Sequence, residues 1–234
     1  MRRFVLILAC IFGLTSWNMM AQRERVKNQP YADMKWFHLG FHVGLHTQDL
    51  ILTHSGVTTD GETWFAEIPS YSPGFSVGVI GDLYLNAFLN LRFTPTIHFG
   101  DKKFLFREQN SGEEFTTNVR SSYLNFPIDI KYTALRLNNY RPYILAGAYG
   151  SLDIGRKKGN PLLLKGTDFG LEFGIGCDLY LPFFKLCPEL KFCFGLVDLI
   201  EKDRPDLVDQ TTLKYTQALS KATSRMIVLT FNFE

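Results

Sequence analysis

Beyond its first residues the chain lacks a long apolar run, is poor in cysteine and carries little net charge, and each shortage excludes a class of protein. After residue 21 no stretch approaches the roughly 18 uncharged apolar residues that a membrane-spanning helix needs. Any segment that crosses a bilayer must then be a strand of a closed barrel, the other structure that satisfies its backbone in lipid. Of four cysteines, Cys10 falls in the N-terminal apolar run, leaving Cys177, Cys187 and Cys193. Cys187 and Cys193 lie six residues apart on one predicted strand, about 20 Å at strand rise, and Cys177 points to the opposite face. A disulfide framework is excluded on that spacing and on the odd count. Lys and Arg number 25 against 23 Asp and Glu, a net charge of +2, which gives no argument for nucleic acid. No nucleophile signature is visible, and neither catalysis nor a cofactor is expected.

What is present begins with a leader. Arg2 and Arg3 precede the apolar run Phe4–Leu14, and Met19-Met20-Ala21 before Gln22 supplies a cleavage site, so residues 1–21 read as a secretory signal peptide. Residues 22–35 are polar and patternless, a periplasmic lead-in, and residues 36–234 form the remaining domain.

That domain is organised by period-two alternation. From Phe169 the apolar set Phe169, Leu171, Phe173, Ile175, Cys177, Leu179 and Leu181 alternates with Gly170, Glu172, Gly174, Gly176, Asp178 and Tyr180, a strand with two unlike faces. After Pro182-Phe183 the pattern resumes from Phe184 to Leu196. Pairing Leu181 with Phe184 sets Phe173 opposite Phe192 and Leu171 opposite Phe194, with both apolar faces on one side. Glu172 and Asp178 then lie a diagonal step from Lys191 and Lys185. Six further strands are expected: Phe37–Leu45, Gly74–Leu85, Leu89–Phe99, Leu124–Tyr132, Tyr140–Leu152 and Ile227–Phe233. The faces of Tyr140–Leu152 stay unassigned, because Ile144, Ala146 and Ala148 compete with Tyr143, Leu145 and Tyr149. Residues 47–73, 100–120, 153–167 and 197–222 read as long loops, and the connections between them are short.

Long and short connections alternate strictly, as an up-and-down barrel requires and a Greek-key sandwich does not. The expected fold is therefore all-β: an eight-stranded up-and-down antiparallel transmembrane β-barrel in the bacterial outer membrane, termini periplasmic and long loops extracellular. Trp36, Phe37, Phe88, Tyr132, Tyr140, Tyr143, Phe183, Phe184, Phe231 and Phe233 fall at the short-turn end as an interfacial girdle. Pro95 and Pro188 predict local bulges. Glu234 follows Phe233 where many such barrels end on the aromatic.

An eight-stranded barrel is only wide enough for its own side chains. Arg92, Asp129, Lys131, Glu172, Asp178, Glu189 and Lys191 all fall on the inward face, so a structural ion-pair plug is expected and a conducting pore is not. His38, His42 and His46 have helical ligand spacing but stand about 13 Å apart in a strand, too far to share an ion, and read as lumen residues. Two alternatives remain. One is a rim enzyme, a hydrolase or lipid A-modifying site built from His54, Ser55, Asp60, Glu62 and His98. The other is a structural or adhesive barrel whose basic cluster Arg156-Lys157-Lys158 contacts lipopolysaccharide or protein.

The run from Asn28 to Leu50 carries a family likeness. Pro30-Tyr31-Ala32-Asp33 before the first strand, then Phe37-His38-Leu39-Gly40-Phe41, Gly44-Leu45 and Thr47-Gln48-Asp49-Leu50, resembles the N-terminal motif of the PorT family, outer-membrane β-barrels of Bacteroidota. That resemblance implies a component of the type IX secretion system, with other secretion proteins as partners alongside outer-membrane lipid and lipopolysaccharide, and no catalytic residues. Because a sealed barrel cannot pass folded cargo, an accessory or assembly role is expected.

Overall fold

In the computed structural model the described residues are 26–56, 58–59, 62–67, 72–109, 112–155, 163–201 and 219–234. The predicted signal peptide, Asp60 and the Arg156-Lys157-Lys158 cluster lie outside them. Strands run as β1 Phe37–His54, β2 Thr58–Thr59, β3 Glu62–Glu67, β4 Ser72–Tyr84, β5 Leu89–Phe93, β6 Thr96–Glu108, β7 Glu114–Thr133, β8 Tyr140–Asp153, β9 Thr167–Tyr180, β10 Lys185–Gly195 and β11 Leu219–Phe233. Pairing proceeds antiparallel from β1 through β11, β10, β9, β8 and β7 to β5, β6 and β4, and β4 returns to β1. Since β5 and β6 are two halves of one stave, the ring closes on eight staves with no free edge. The β9–β10 hairpin has the expected register, Phe192 opposite Phe173 and Phe194 opposite Leu171.

Neither proline produces the expected bulge. Gly81 pairs with Phe93 and Gly78 with Thr96, so β5 and β6 keep one register across Pro95, and β10 likewise keeps its register across Pro188. Proline removes only its N–H. Its carbonyl still accepts, as Pro95 O does from Val79 N at 3.1 Å.

Three of the expected long loops are partly strand. β1 continues to His54, β6 and β7 form a hairpin out to Glu108 and Glu114, and β11 starts at Leu219. Their pattern was hidden because its phase inverts. Through the apolar belt Leu45, Ile97 and Phe99 face outward, whereas farther out Leu50, Phe104 and Phe106 face inward and are buried. With Trp64, Ala66, Leu164, Leu199, Ile200, Leu219 and Ala222 they make an apolar core that caps the long-loop end. Outside the bilayer the exterior solvent is water, so the apolar face turns in.

β8 is resolved by its partner. Tyr143, Leu145 and Tyr149 are buried in the lumen, and their register partners on β9 are Gly176, Gly174 and Gly170. Three large side chains fill the space three glycines leave. Tyr143 therefore leaves the predicted aromatic girdle, while Trp36, Phe88, Tyr132, Tyr140, Phe183 and Phe184 are exposed around the short-turn end.

Close approach also fixes Gly40 at the β1–β11 seam, where a Cβ would stand 2.3 Å from Phe233 O. Gly40→Ala should destabilise the closed barrel by about 1–3 kcal/mol, because the obstacle is backbone and cannot turn aside. Urea titration followed by heat-dependent gel mobility measures it; an unchanged midpoint would contradict the seam geometry.

Candidate functional site

All seven charged residues expected in the lumen are buried there. They form two groups. Toward the short-turn end Arg92 is fully buried and contacts Glu189 at 3.0 Å, Asp82 at 3.0 Å and Glu234 at 2.8 Å. Lys131 Nζ bonds Asp178 at 2.8 Å, and Lys185 pairs with Glu234. The Tyr143 ring lies between the cations, 5.6 Å from the Arg92 guanidinium carbon and 4.0 Å from Lys131 Nζ, and its hydroxyl donates to Glu189 at 2.6 Å. In mid-barrel Lys191 joins Glu172 at 2.7 Å, Asp129 at 2.9 Å and Glu189 at 3.6 Å. Glu189 touches both groups and makes them one network.

Sequence reasoning expected Glu172–Lys191, which forms, and a diagonal pairing of Asp178 with Lys185, which does not: Asp178 takes Lys131 across the lumen. The expected plug omits Asp82, Tyr143 and Glu234, and includes Lys185 only as a neighbour of Asp178. For Glu234 the signal was available, since it shares the parity of Thr230 and Asn232, both buried. Carboxylates Asp82, Asp129, Glu172, Asp178, Glu189 and Glu234 outnumber cations Arg92, Lys131, Lys185 and Lys191. Neutral donors supply part of the balance: Asn90 to Asp82, Asn232 to Glu189 at 3.3 Å, and Cys193 to Glu172 at 3.6 Å.

Above the ions lie His42, His46 and His98. His46 and His98 meet edge to face at 4.9 Å between centroids, His42 Nε2 is 3.1 Å from Thr96 Oγ1, and His46 Nε2 is 3.1 Å from Gln48 Nε2. Among the described residues no group of three or more His, Cys, Asp or Glu is placed to hold a metal. Among the described residues two small cavities lie in the interior. One of about 30 Å³ is lined by residues including His98, Lys102, Tyr149 and Asp168, and the other, of about 20 Å³, by residues including His42, Thr96, Asn125 and Lys191. Each has room for one or two waters.

The lead-in, expected to be patternless, is tied across the short-turn end. Ala32–Met34 forms a 3₁₀ turn. Asp33 is its anchor, pairing with Arg141 at 3.1 Å and Arg136 at 3.5 Å and accepting from the Tyr180 hydroxyl. Arg136 also stacks 3.6 Å over the Tyr180 ring and donates to the carbonyls of Asn28 and Gln29. The side chains of Asn28 and Gln29 reach Tyr180 O at 2.9 Å and Leu181 O at 3.0 Å, and His38 Nε2 meets Ala32 O at 2.7 Å.

Of the residues offered for a rim enzyme, His54 and His98 stand apart, and Asp60 lies outside the described residues. His98 is buried inside the lumen against His46, whereas His54 is exposed with its ring 5.4 Å from that of Phe65. The backbone of Glu62 is described but its side chain is not.

A closed eight-stave ring with an apolar exterior and a charged, filled interior is an integral barrel of the bacterial outer membrane. The chain belongs to the family described as the outer membrane protein beta-barrel domain, whose model matches residues 20–201. No curated protein matches it. Solved structures similar to it include Neisserial surface protein A (NspA), at 10% identity and TM-score 0.45 over 85% of this chain and 98% of that one. OprG from Pseudomonas aeruginosa is similar at 11% identity and TM-score 0.44, over 83% and 94%. AlkL, solved in lipid bilayers, is similar at 11% identity and TM-score 0.43, over 92% and 96%.

Truncating Arg92 strands three buried carboxylates. Arg92→Met should therefore cost about 3–5 kcal/mol of stability or prevent insertion, read by the same urea titration; a loss below 1 kcal/mol would mean the network is not electrostatically coupled. Asp33→Ala should instead free residues 26–36 to protease and amide exchange and leave the barrel's unfolding midpoint within about 0.5 kcal/mol, as expected outside the core.

Proposed function

We propose that this protein is a non-catalytic accessory or assembly component of the type IX protein secretion system, acting through its wall and its two rims. The lumen carries this reading. Arg92, Lys131, Lys185 and Lys191 fill it with their carboxylates, the interior cavities among the described residues measure about 30 and 20 Å³, and an apolar core lies across the outer end. Folded cargo cannot traverse such a barrel, and neither can a hydrated ion stream.

What supports secretion in particular is the PorT-like run Asn28–Leu50. The lead-in part of that motif has a physical task here: Asn28, Gln29 and Asp33 are the residues that hold the strap against Tyr180, Leu181, Arg136 and Arg141. A folded strap on the periplasmic face is a surface on which a periplasmic partner can dock. Other secretion-system proteins are the partners this reading names.

A deletion strain of the source organism tests it. Cargo bearing the C-terminal sorting domain should accumulate in the periplasm by mass spectrometry, and a plasmid copy should restore export; normal surface delivery would end the secretion reading. In a planar bilayer the purified protein should give no stable conductance, and a cargo-sized pore would overturn the sealed-lumen mechanism.

A further inference from the structure

The apolar outer wall has a charged pair set into it. Asp49 and Arg225 oppose each other across the β1–β11 ladder and form an ion pair, Arg225 Nη2 to Asp49 Oδ2. The Asp49 side chain is only 10% exposed and that of Arg225 is 41% exposed, so Arg225 is the partner presented outward. Its surroundings are apolar. Phe194 is the register partner of Arg225 on β10, Ile227 and Phe192 lie one outward position nearer mid-membrane, and Ile51 stands on the other side; all four are exposed. Phe194 and, just past the end of β10, Leu196 stay exposed and apolar, and Leu50 beside Asp49 already faces the outer apolar core, so the pair sits at the outer edge of the belt. Thr47, Asp49, Phe192, Phe194, Arg225 and Ile227 line an open groove of about 500 Å³.

Ionisable side chains on the lipid face of a barrel are costly unless a partner answers them. Asp49 pairs with Arg225, and 41% of the Arg225 side chain stays exposed. We propose that this groove binds a phosphorylated glycolipid of the outer leaflet, with a phosphate on the exposed face of the Arg225 guanidinium and an acyl chain along Phe192, Phe194 and Ile227. The planar guanidinium matches two phosphate oxygens. The groove reaches from that cation into the apolar belt, where acyl chains lie, and the molecule with a phosphate at one end and acyl chains at the other is a membrane lipid. This site is distinct from the Arg156-Lys157-Lys158 loop considered for lipopolysaccharide, and it rests on the outer-membrane assignment alone, not on the secretion reading.

The full mature protein, purified in detergent, is titrated with bisphosphorylated lipid A, with dephosphorylated lipid A and with phosphatidylglycerol, and bound lipid is counted by native mass spectrometry. The double variant Asp49→Asn/Arg225→Gln removes both charges so that neither is stranded, and Phe194→Ala opens the groove wall; heat-dependent gel mobility confirms closure of each. Bisphosphorylated lipid A should bind at least tenfold more tightly than either other lipid, and at least tenfold more weakly to the double variant. Phe194→Ala should weaken it several-fold. Equal affinity for the dephosphorylated lipid or for phosphatidylglycerol, or undiminished binding to the folded double variant, overturns the proposal. Should the double variant fail to fold, the three lipids compared on the wild type and on Phe194→Ala carry the same decision.

Discussion

Charge neutralisation inside a closed ring is the constraint on which this structure depends. Eight staves leave a lumen that side chains must fill. Every charge placed there has lost its water and has to be answered by another side chain. Arg92 is the centre of that arrangement, because it meets carboxylates from three different staves: Asp82 on β4, Glu189 on β10 and Glu234 beyond β11. The Arg92 pairs with Glu189 and Glu234 link strands that the backbone ladder does not join, whereas Asp82 is its register partner on the β4–β5 ladder. Lys191 on β10 likewise reaches Asp129 on β7, and it also pairs with Glu172 on the adjacent β9.

The molecule changes its solvent along its length, and its side chains follow. In the belt the exterior is apolar and the interior charged. Beyond it, where β1, β6 and β11 rise out of the bilayer, the interior holds Leu50, Phe104, Phe106 and Ala222 in an apolar core. The outside of that region carries groups such as Arg107 and Glu114, which pair at 2.8 Å while half exposed. At the opposite end the strap anchored by Asp33 meets the barrel through backbone carbonyls and two arginines. Each end is thus closed by different chemistry, apolar outside and polar on the periplasmic side.

The sequence alone determined the fold class, the stave count, the β9–β10 register and the inward set Arg92, Asp129, Lys131, Glu172, Asp178, Glu189 and Lys191. All of these follow from period two, which is a local property of the chain. Only the tertiary structure decided the rest. Lys131 takes Asp178 because that choice is made between residues far apart in sequence, on staves that β8 separates, whereas Lys185 takes Glu234, its neighbour across the β10–β11 ladder. β8 became legible once Tyr143, Leu145 and Tyr149 met the glycines of β9, since no residue of β8 itself says which face has room. Pro95 keeps register with the Val79 donor still on its carbonyl, and β10 runs on in one register across Pro188. The extensions of β1, β6 and β11 were read as loops because a fixed-parity reading presumes one exterior solvent, and where lipid gives way to water the same alternation points the opposite way.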